Sequence, residues 1–352
     1  MSATSADALV ERIFSAAVAS FDLAGIYLGD RLGWYASLAA DGPATPEELA
    51  SRTGTDARYA REWLEQQAVA GILEVDDEHR FDLPDAHAEV LVDPLSLNLM
   101  APLSRMVTAA FGRLPQVADA YRSGAGVGWE SYGSDMREGQ AAFNRPAVTH
   151  LLGSEWIPGA PELHARLSAE PAARMVDVGC GEGWSTIALA RAYPNARFVG
   201  IDLDEPSIVA ARRNAADAGV ADRVEFRHGD AASALDGSFD AALIVEAVHD
   251  MASPVPVLAA IRAALVGDGS LIVVDERVAE SFTAPGDDIE RFMYGWSITT
   301  CLPDGRSRQP SRATGTVMRP DTMRAYAAEA GFRSVDVLAV ENDFFRFYQL
   351  RP

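Results

Sequence analysis

The chain has 352 residues, 48% hydrophobic and 23% charged, which is enough for a full core and ordinary for a soluble globular protein. A net charge of −21 opposes non-specific contact with nucleic acid or anionic membrane, so neither is an expected partner. Two cysteines exclude a disulfide framework and a Cys-based zinc site, and no apolar run of about 18 residues or basic-then-apolar leader is present, so a cytoplasmic protein is expected.

All thirty basic residues are arginine. P-loop kinases and pyridoxal enzymes each need a lysine, so both chemistries are excluded.

Residues 7–40 are alanine-rich, with Leu9, Ile13, Phe14, Ala17, Val18 and Phe21 at helical spacing. The pattern predicts helices whose apolar stripe needs a partner, either the chain's own core or a second subunit. Thr45-Pro46-Glu47-Glu48 is a capping box with proline at the first helical position. The helix it starts stops near Gly54, and a second runs from about Asp56 to Ala70. Gly71 then releases two short strands, Ile72 to Val75 and Arg80 to Leu83, around Asp76-Asp77-Glu78. Helix, turn, helix and hairpin predict a winged helix. Arg58 and Arg61 are offset by Asp56, Glu62 and Glu65, and the wing is acidic, so the expected role is packing and dimerisation rather than DNA binding.

Residues 95–125 read as further helix, with Met100, Leu103, Met106, Val107, Ala110 and Phe111 on one stripe. A segment of mixed aromatic and polar residues follows, including Trp129, Tyr132, Met136, Gln140, Phe143, Asn144, Arg145, His150 and Trp156. Such a stretch lines a ligand pocket or packs between domains.

From Arg174 the pattern is α/β. Strands are expected at 174–178, 197–201, 223–227, 239–245 and 269–275, with helices near 184–192, 205–218 and 254–265. The apolar runs are continuous, as parallel strands buried on both faces require. An insertion at roughly 277–320 precedes a helix from Pro320 to Gly331 and a closing hairpin of Val335 to Val340 with Phe344 to Leu350. The stretch Met175 to Ala190 is a buried strand, a turn with Gly179, Gly181 and Gly183, and a helix start. The next apolar run ends in Asp202, placed to hold ribose hydroxyls. A dinucleotide site would want glycine at position 184, where this chain has Trp184; Glu182 would also repel a pyrophosphate and suits a cationic ligand.

VDVGCGEG, VGIDLD, HGD, FDAALIVEAVHD and LVGDGSLIVVDE together resemble the successive motifs of class I S-adenosylmethionine-dependent methyltransferases, across 171–352. The winged helix ahead of them is similar to that of small-molecule O-methyltransferases, and looks closer still to that of an actinobacterial group of such enzymes. The resemblance implies a Rossmann-like, seven-stranded α/β sheet closed by an antiparallel hairpin, behind a mainly helical winged-helix domain. It divides the chain into a dimerisation domain at 1–120, linking helices at 121–170 that contribute to the substrate pocket, and a catalytic domain at 171–352. It implies S-adenosylmethionine as cofactor, a small, largely apolar or aromatic acceptor methylated at oxygen, and a homodimer. A regulator that binds the cofactor, and a non-methylating reaction on the same fold, are the alternatives.

Carried onto this chain, the family's cofactor contacts fall on Asp177, Gly179, Gly181, Gly183, Asp202, Leu203, Asp230, Ala231 and Glu246. Asp204 is a rival for the ribose, and an isolated strand-end Asp is otherwise a helix cap. Val248-His249-Asp250 resembles the Leu-His-Asp-Trp signature whose His is the general base, with Met251 here in place of Trp. Asp275 matches the acid that orients this His, with Asp250 and Glu276 as alternatives. The acceptor pocket is expected to draw on Tyr132, Phe143, Asn144 and His150, and on Phe292, Met293, Tyr294, Trp296 and Cys301 from the insertion. Arg306, Arg308 and Arg312 could meet an anionic substrate or simply be solvated. The remaining histidines show no ligand spacing, so no metal is expected.

Overall fold

The computed structural model describes residues 5–352, which fall into two compact units: residues 5–109 with Ser134–Pro146, and Ala110–Gly133 with Ala147–Pro352. No helix among the described residues is long and apolar enough to cross a membrane.

The first unit contains α1 (Ala6–Arg31), α2 (Trp34–Asp41), α3 (Pro46–Thr53), α4 (Ala57–Val69), β1 (Glu74–Val75), β2 (Phe81–Asp82), α5 (Asp85–Leu91) and most of α6 (Ala101–Phe111). The capping box forms as read: Glu48 N–H donates to Thr45 Oγ1 at 3.3 Å, and Thr45 N–H donates to Glu48 Oε2 at 3.0 Å. The wing is shorter than predicted. The N–H groups of Ile72 and Leu73 both donate to Gln67 O, closing α4 instead of joining the ladder. Ala44 pairs with Phe81 in an isolated antiparallel bridge on the other side of β2. Trp34, Tyr35, Leu38, Leu49, Trp63, Leu64 and Phe81 make the core, and Trp63 Nε1 donates to Gly25 O at 2.8 Å. Only Gly25 and Gly29 of α1 are buried. A Cβ at Gly29 would lie 2.4 Å from the Tyr35 ring, so the absence of a side chain permits this approach. The stripe Leu9, Val10, Ile13, Phe14, Val18 and Phe21 stays exposed.

In the second unit, α7 (Leu114–Ser123) and a 3₁₀ turn (Trp129–Tyr132) precede α8 (Gly133–Ala147), most of which belongs to the first unit. A π-helical stretch (Val148–Trp156) and α9 (Pro161–Ser168) lead into the sheet. Its first part runs β3 (Arg174–Val178), α10 (Trp184–Ala192), β4 (Arg197–Asp202), α11 (Glu205–Asp217), β5 (Val224–His228) and α12 (Ala231–Ala234). Then come β6 (Phe239–Val245), α13 (Pro254–Ala264) and β7 (Leu265–Glu276). The insertion carries α14 (Asp288–Trp296), a π turn (Ser297–Cys301) and α15 (Leu302–Gly305). The unit closes with α16 (Pro320–Glu329), β8 (Ser334–Val337) and β9 (Phe345–Arg351).

The sheet order is β5-β4-β3-β6-β7-β9-β8. The first five strands are parallel; β9 runs antiparallel to β7, and β8 antiparallel to β9. Met175, Phe198, Leu243, Ile272 and Phe347 point to one face, against α9, α10, α11 and the π-helical stretch. Val176, Val199, Ala242, Val273 and Tyr348 point to the other, against α13 and α16. Both faces are covered, which explains the continuous apolar runs. Strand β7 begins at Leu265, earlier than predicted, because a bulge at Phe239/Ala241 lets Phe239 pair with Leu265. Strand order reverses between β3 and β6, and ligands of open α/β sheets bind at the carboxyl ends beside such a switch point.

Candidate active site

At the carboxyl end of β3 the chain turns through Gly179, Gly181 and Gly183, at φ of 77°, 50° and 83°. Glycine is the residue that adopts these angles without strain. Gly179 N–H donates to Ile201 O at 2.8 Å, and Gly181 N–H donates to Asp202 Oδ2 at 2.8 Å. Asp204 N–H donates to the other oxygen, Oδ1, also at 2.8 Å, so Asp202 ties the glycine turn to the end of β4. Burial raises the pKa of Asp202, and the N–H donors oppose that rise. A Cβ at Gly183 would meet the Phe226 ring at 2.5 Å, whereas one at Gly181 would meet nothing within 4 Å. Gly181 thus faces open space beside the Asp202 carboxylate.

The other predicted acids divide by role. Asp177 lies one residue inside the strand end and is buried, with Oδ2 accepting the hydroxyls of Ser185 and Thr186 at 2.6 Å each. Its Oδ1 is buried with no hydrogen-bond partner among the described residues. Burial pushes its pKa up to about 6, against the pull of the two hydroxyls. Asp204 caps α11 through Ser207 N–H at 3.0 Å, and Asp230 caps α12 through Ala232 N–H at 2.9 Å. Leu203 is exposed beside Asp202, with its carbonyl 3.1 Å from His228 Nε2, while Ala231 packs into the core. Glu246, just past β6, holds a φ of 50° while its N–H donates to Val274 O. A bulky residue in this left-handed region is strained, and such strain gathers at functional sites. The open cradle at Gly181, with Asp202 on its lip and no phosphate-crowding third glycine, fits a ribosyl sulfonium such as S-adenosylmethionine.

His249 follows β6 and is 2% exposed. Its Nδ1 donates to Asp275 Oδ1 at 2.9 Å and lies equally close to Glu276 Oε2; its Nε2 is 3.4 Å from Asp250 Oδ1. Sequence reasoning offered Asp275, Asp250 and Glu276 as alternative orienting acids, and all three surround the ring. Burial works against a charged imidazole, but Glu276, Asp250 and Asp275 outweigh it and hold its pKa well above the usual range. Burial also lifts Glu276 well above the carboxylate range. For Asp275, burial is outweighed by the imidazole charge and hydrogen bond, which hold its pKa down. The loop is fixed from two sides, with Gly315 N–H donating to His249 O at 3.1 Å and Arg312 N–H to Ala252 O at 2.8 Å.

Cys301 and Thr316, which the sequence did not connect to His249, lie against this cluster. Burial and the charge of Asp250 raise the Cys301 thiol pKa, keeping it protonated at neutral pH. Among the predicted acceptor residues, Tyr132 is buried and its hydroxyl donates to Thr299 O at 2.8 Å, so the 3₁₀ turn and the insertion do meet. Trp129 N–H donates to Asp304 Oδ1 at 2.8 Å; burial pushes Asp304 up to about 7. Met293 is buried, and the Phe292 and Trp296 rings meet edge-on at 5.7 Å. His150 is exposed on the π-helical stretch. Phe143 and Asn144 lie on α8, in the first unit, and are half-buried there.

Residues 169–298 match the model of a methyltransferase domain, and residues 22–93 that of an Rv2258c-like winged HTH domain. The chain is 26% identical to the mitomycin biosynthesis 6-O-methyltransferase of Streptomyces lavendulae over 263 residues, 69% of this chain and 71% of that one. It is 27% identical to the N,N-dimethyltransferase OxyT of Streptomyces rimosus over 312 residues, 87% and 86% of the two chains. Among solved structures, LaPhzM is similar in fold, with a TM-score of 0.74 at 19% identity over 98% of this chain and 99% of that one. Human N-acetylserotonin methyltransferase with bound cofactor has a TM-score of 0.68 at 18% identity over 100% and 99%. A matching domain model, methyltransferase relatives and a sulfonium-compatible turn agree: the chain is an S-adenosylmethionine-dependent methyltransferase with an N-terminal winged-helix domain.

Proposed function

We propose that the protein methylates an oxygen of a small aromatic molecule, with His249 as general base and Asp275 as the acid that orients it. The cofactor supplies an electrophilic methyl group on a sulfonium when bound. Asp202 would hold its ribose hydroxyls, and Gly179, Gly181 and Gly183 its close backbone approach; Leu203, Asp230 and Ala231 flank the adenine side, with Asp177 and Glu246 toward the methionyl side. An amine can attack as the neutral base and lose its proton afterwards, whereas a hydroxyl must give up a proton as it attacks. The observation that carries the choice of oxygen is the buried pair His249 Nδ1–Asp275 Oδ1 at 2.9 Å. A carboxylate on Nδ1 raises the affinity of Nε2 for the proton of a phenol-like hydroxyl. Relatives named for O-methylation of mitomycin and phenazine support the aromatic acceptor. Tyr132, Met293, Phe292 and Trp296 supply the matching surface in the second unit; Phe143, Asn144 and His150 are the further candidates.

The winged helix serves association of two copies. Three of its arginines pair with acids, Arg58 with Glu62, Arg61 with Glu47 and Arg80 with Glu48, and Arg52 donates to backbone carbonyls, which weakens any case for phosphate contact. The exposed stripe of α1 is the surface a second copy would cover. Two free thiols, Cys180 and half-buried Cys301, suit a reducing cytoplasm.

The test is incubation with the cofactor and a panel of phenols, matched anilines and aliphatic alcohols. S-adenosylhomocysteine together with an O-methylated phenol is the expected result. Methylation confined to the anilines would overturn the assignment to oxygen.

A further inference from the structure

On the side of the imidazole away from Asp275, His249 Nε2, Asp250 Oδ1 and Cys301 Sγ all lie within 4.8 Å of one another. We propose that these three atoms form a binding site for one thiophilic divalent cation of the zinc type. Nitrogen, oxygen and sulfur together are a borderline-soft donor set, and three protein ligands with an open fourth position are a recurring zinc arrangement. The spacing agrees. Nε2 and Oδ1 are 3.4 Å apart, and the edge of a tetrahedron with arms of about 2.0–2.1 Å is about 3.3 Å.

The shell behind the ring is of the kind that metal-binding histidines have. Nδ1 donates to Asp275, which directs Nε2 toward Asp250 and Cys301; the surrounding acids favour a proton on Nε2, and a bound cation takes that proton's place. The second cluster, Nδ1 with Asp275 and Glu276, is different: both contacts are 2.9 Å, the length of a hydrogen bond, and Nδ1 already donates to Asp275. Asp250 Oδ1 faces His249 Nε2 at 3.4 Å, and the Cys301 thiol meets the Asp250 carboxyl and is flanked by Thr316, a 1% exposed residue. The three ligand side chains therefore already face one another. The backbone holds the ligands in place: Gly315 N–H fixes the His249 carbonyl, and Cys301 ends the π turn that runs into α15.

Binding involves no redox step. The Cys301 S–H bond and the imidazolium Nε2–H bond break, both protons go to solvent, and the thiolate sulfur, the freed Nε2 lone pair and the Asp250 carboxylate each donate to the cation. Because Nε2 is then occupied, the cation blocks proton abstraction by His249 and silences methyl transfer. That consequence alone rests on the base role proposed above.

The experiment titrates Co²⁺ into the full chain freed of metal by a chelator. The expected result is saturation at one equivalent, a thiolate-to-cobalt charge-transfer band, and loss of that band on adding Zn²⁺. Cys301→Ser abolishes the band, Cys180→Ser keeps it, and Asp250→Asn weakens Co²⁺ binding by about tenfold or more, as loss of a ligand should exceed loss of an outer partner. Circular dichroism of each variant reports that the fold is intact. Absence of a saturable band in the unaltered chain, or its persistence in Cys301→Ser, overturns the site. Stoichiometric Zn²⁺ binding with unchanged methyl transfer keeps the site and overturns the base role of His249.

Discussion

Gly181 donates its backbone N–H to the carboxylate of Asp202 at 2.8 Å, joining the turn after β3 to the end of β4. The acid therefore shapes the turn as well as offering acceptors to a ribose. Hydrogen bonds to a charged group contribute about 1.5–3 kcal/mol each, so Asp202→Ala should weaken S-adenosylmethionine binding by at least about tenfold. Titration calorimetry reads this directly. Unchanged affinity would remove Asp202 from the cofactor site.

Removing His249 should separate chemistry from cofactor binding. His249→Asn is expected to lower kcat by about 10²–10⁴-fold, the usual contribution of a positioned general base, with cofactor affinity retained. Full turnover in this variant on a methylated acceptor would end the base assignment.

Asp177 makes stability depend on pH. Its ordinary pKa of 3.8 is raised to about 6 by burial. A raised carboxyl favours the neutral form in the folded state, so its contribution is fully present below pH 3.8. That contribution is lost as pH rises to about 6, a cost of about 3 kcal/mol. Asp177→Asn keeps an oxygen for the Ser185 and Thr186 hydroxyls but carries no charge. Urea unfolding should show the variant gaining on the parent between those pH values and holding the gain at pH 7; a constant difference would contradict the burial account.

The α1 stripe should hold two copies together. Phe14 and Phe21 are 70% and 74% exposed. The double variant Phe14→Glu/Phe21→Glu is expected to halve the mass measured by light scattering, with helical content unchanged. A parent chain that is already monomeric would refute the dimer.

Much of the fold was legible because its signals are local. Strands 174–178 and 239–245 match their continuous apolar runs, and Thr45, Asp56 and Asp204 cap helices as short polar residues before an apolar stretch do. The wing was overextended because the apolar residues Ile72 and Leu73 look like strand while their N–H groups finish a helix. For the proposed site residues, the sequence shows the positions of Asp202, His249 and Asp275 at or near the carboxyl ends of strands, because strand ends are marked by local apolar runs. Cys301 and Thr316 were not associated with His249, since neither spacing nor periodicity records which residues of an insertion fold back onto a distant loop. The bonds of Asp177 to Ser185 and Thr186 have no sequence signal, because they depend on how α10 lies against β3.

The hydrogen bond from Gly315 to the His249 carbonyl has a consequence for divergence among related enzymes. The segment that reaches the proposed acceptor surface is the same one that fixes the loop of the proposed base. A substitution that reshapes 297–316 for a new acceptor therefore also shifts the imidazole. Exchange of this segment between relatives should carry rate and selectivity together, and a graft that changes only the preferred acceptor will need a compensating change in the loop around His249.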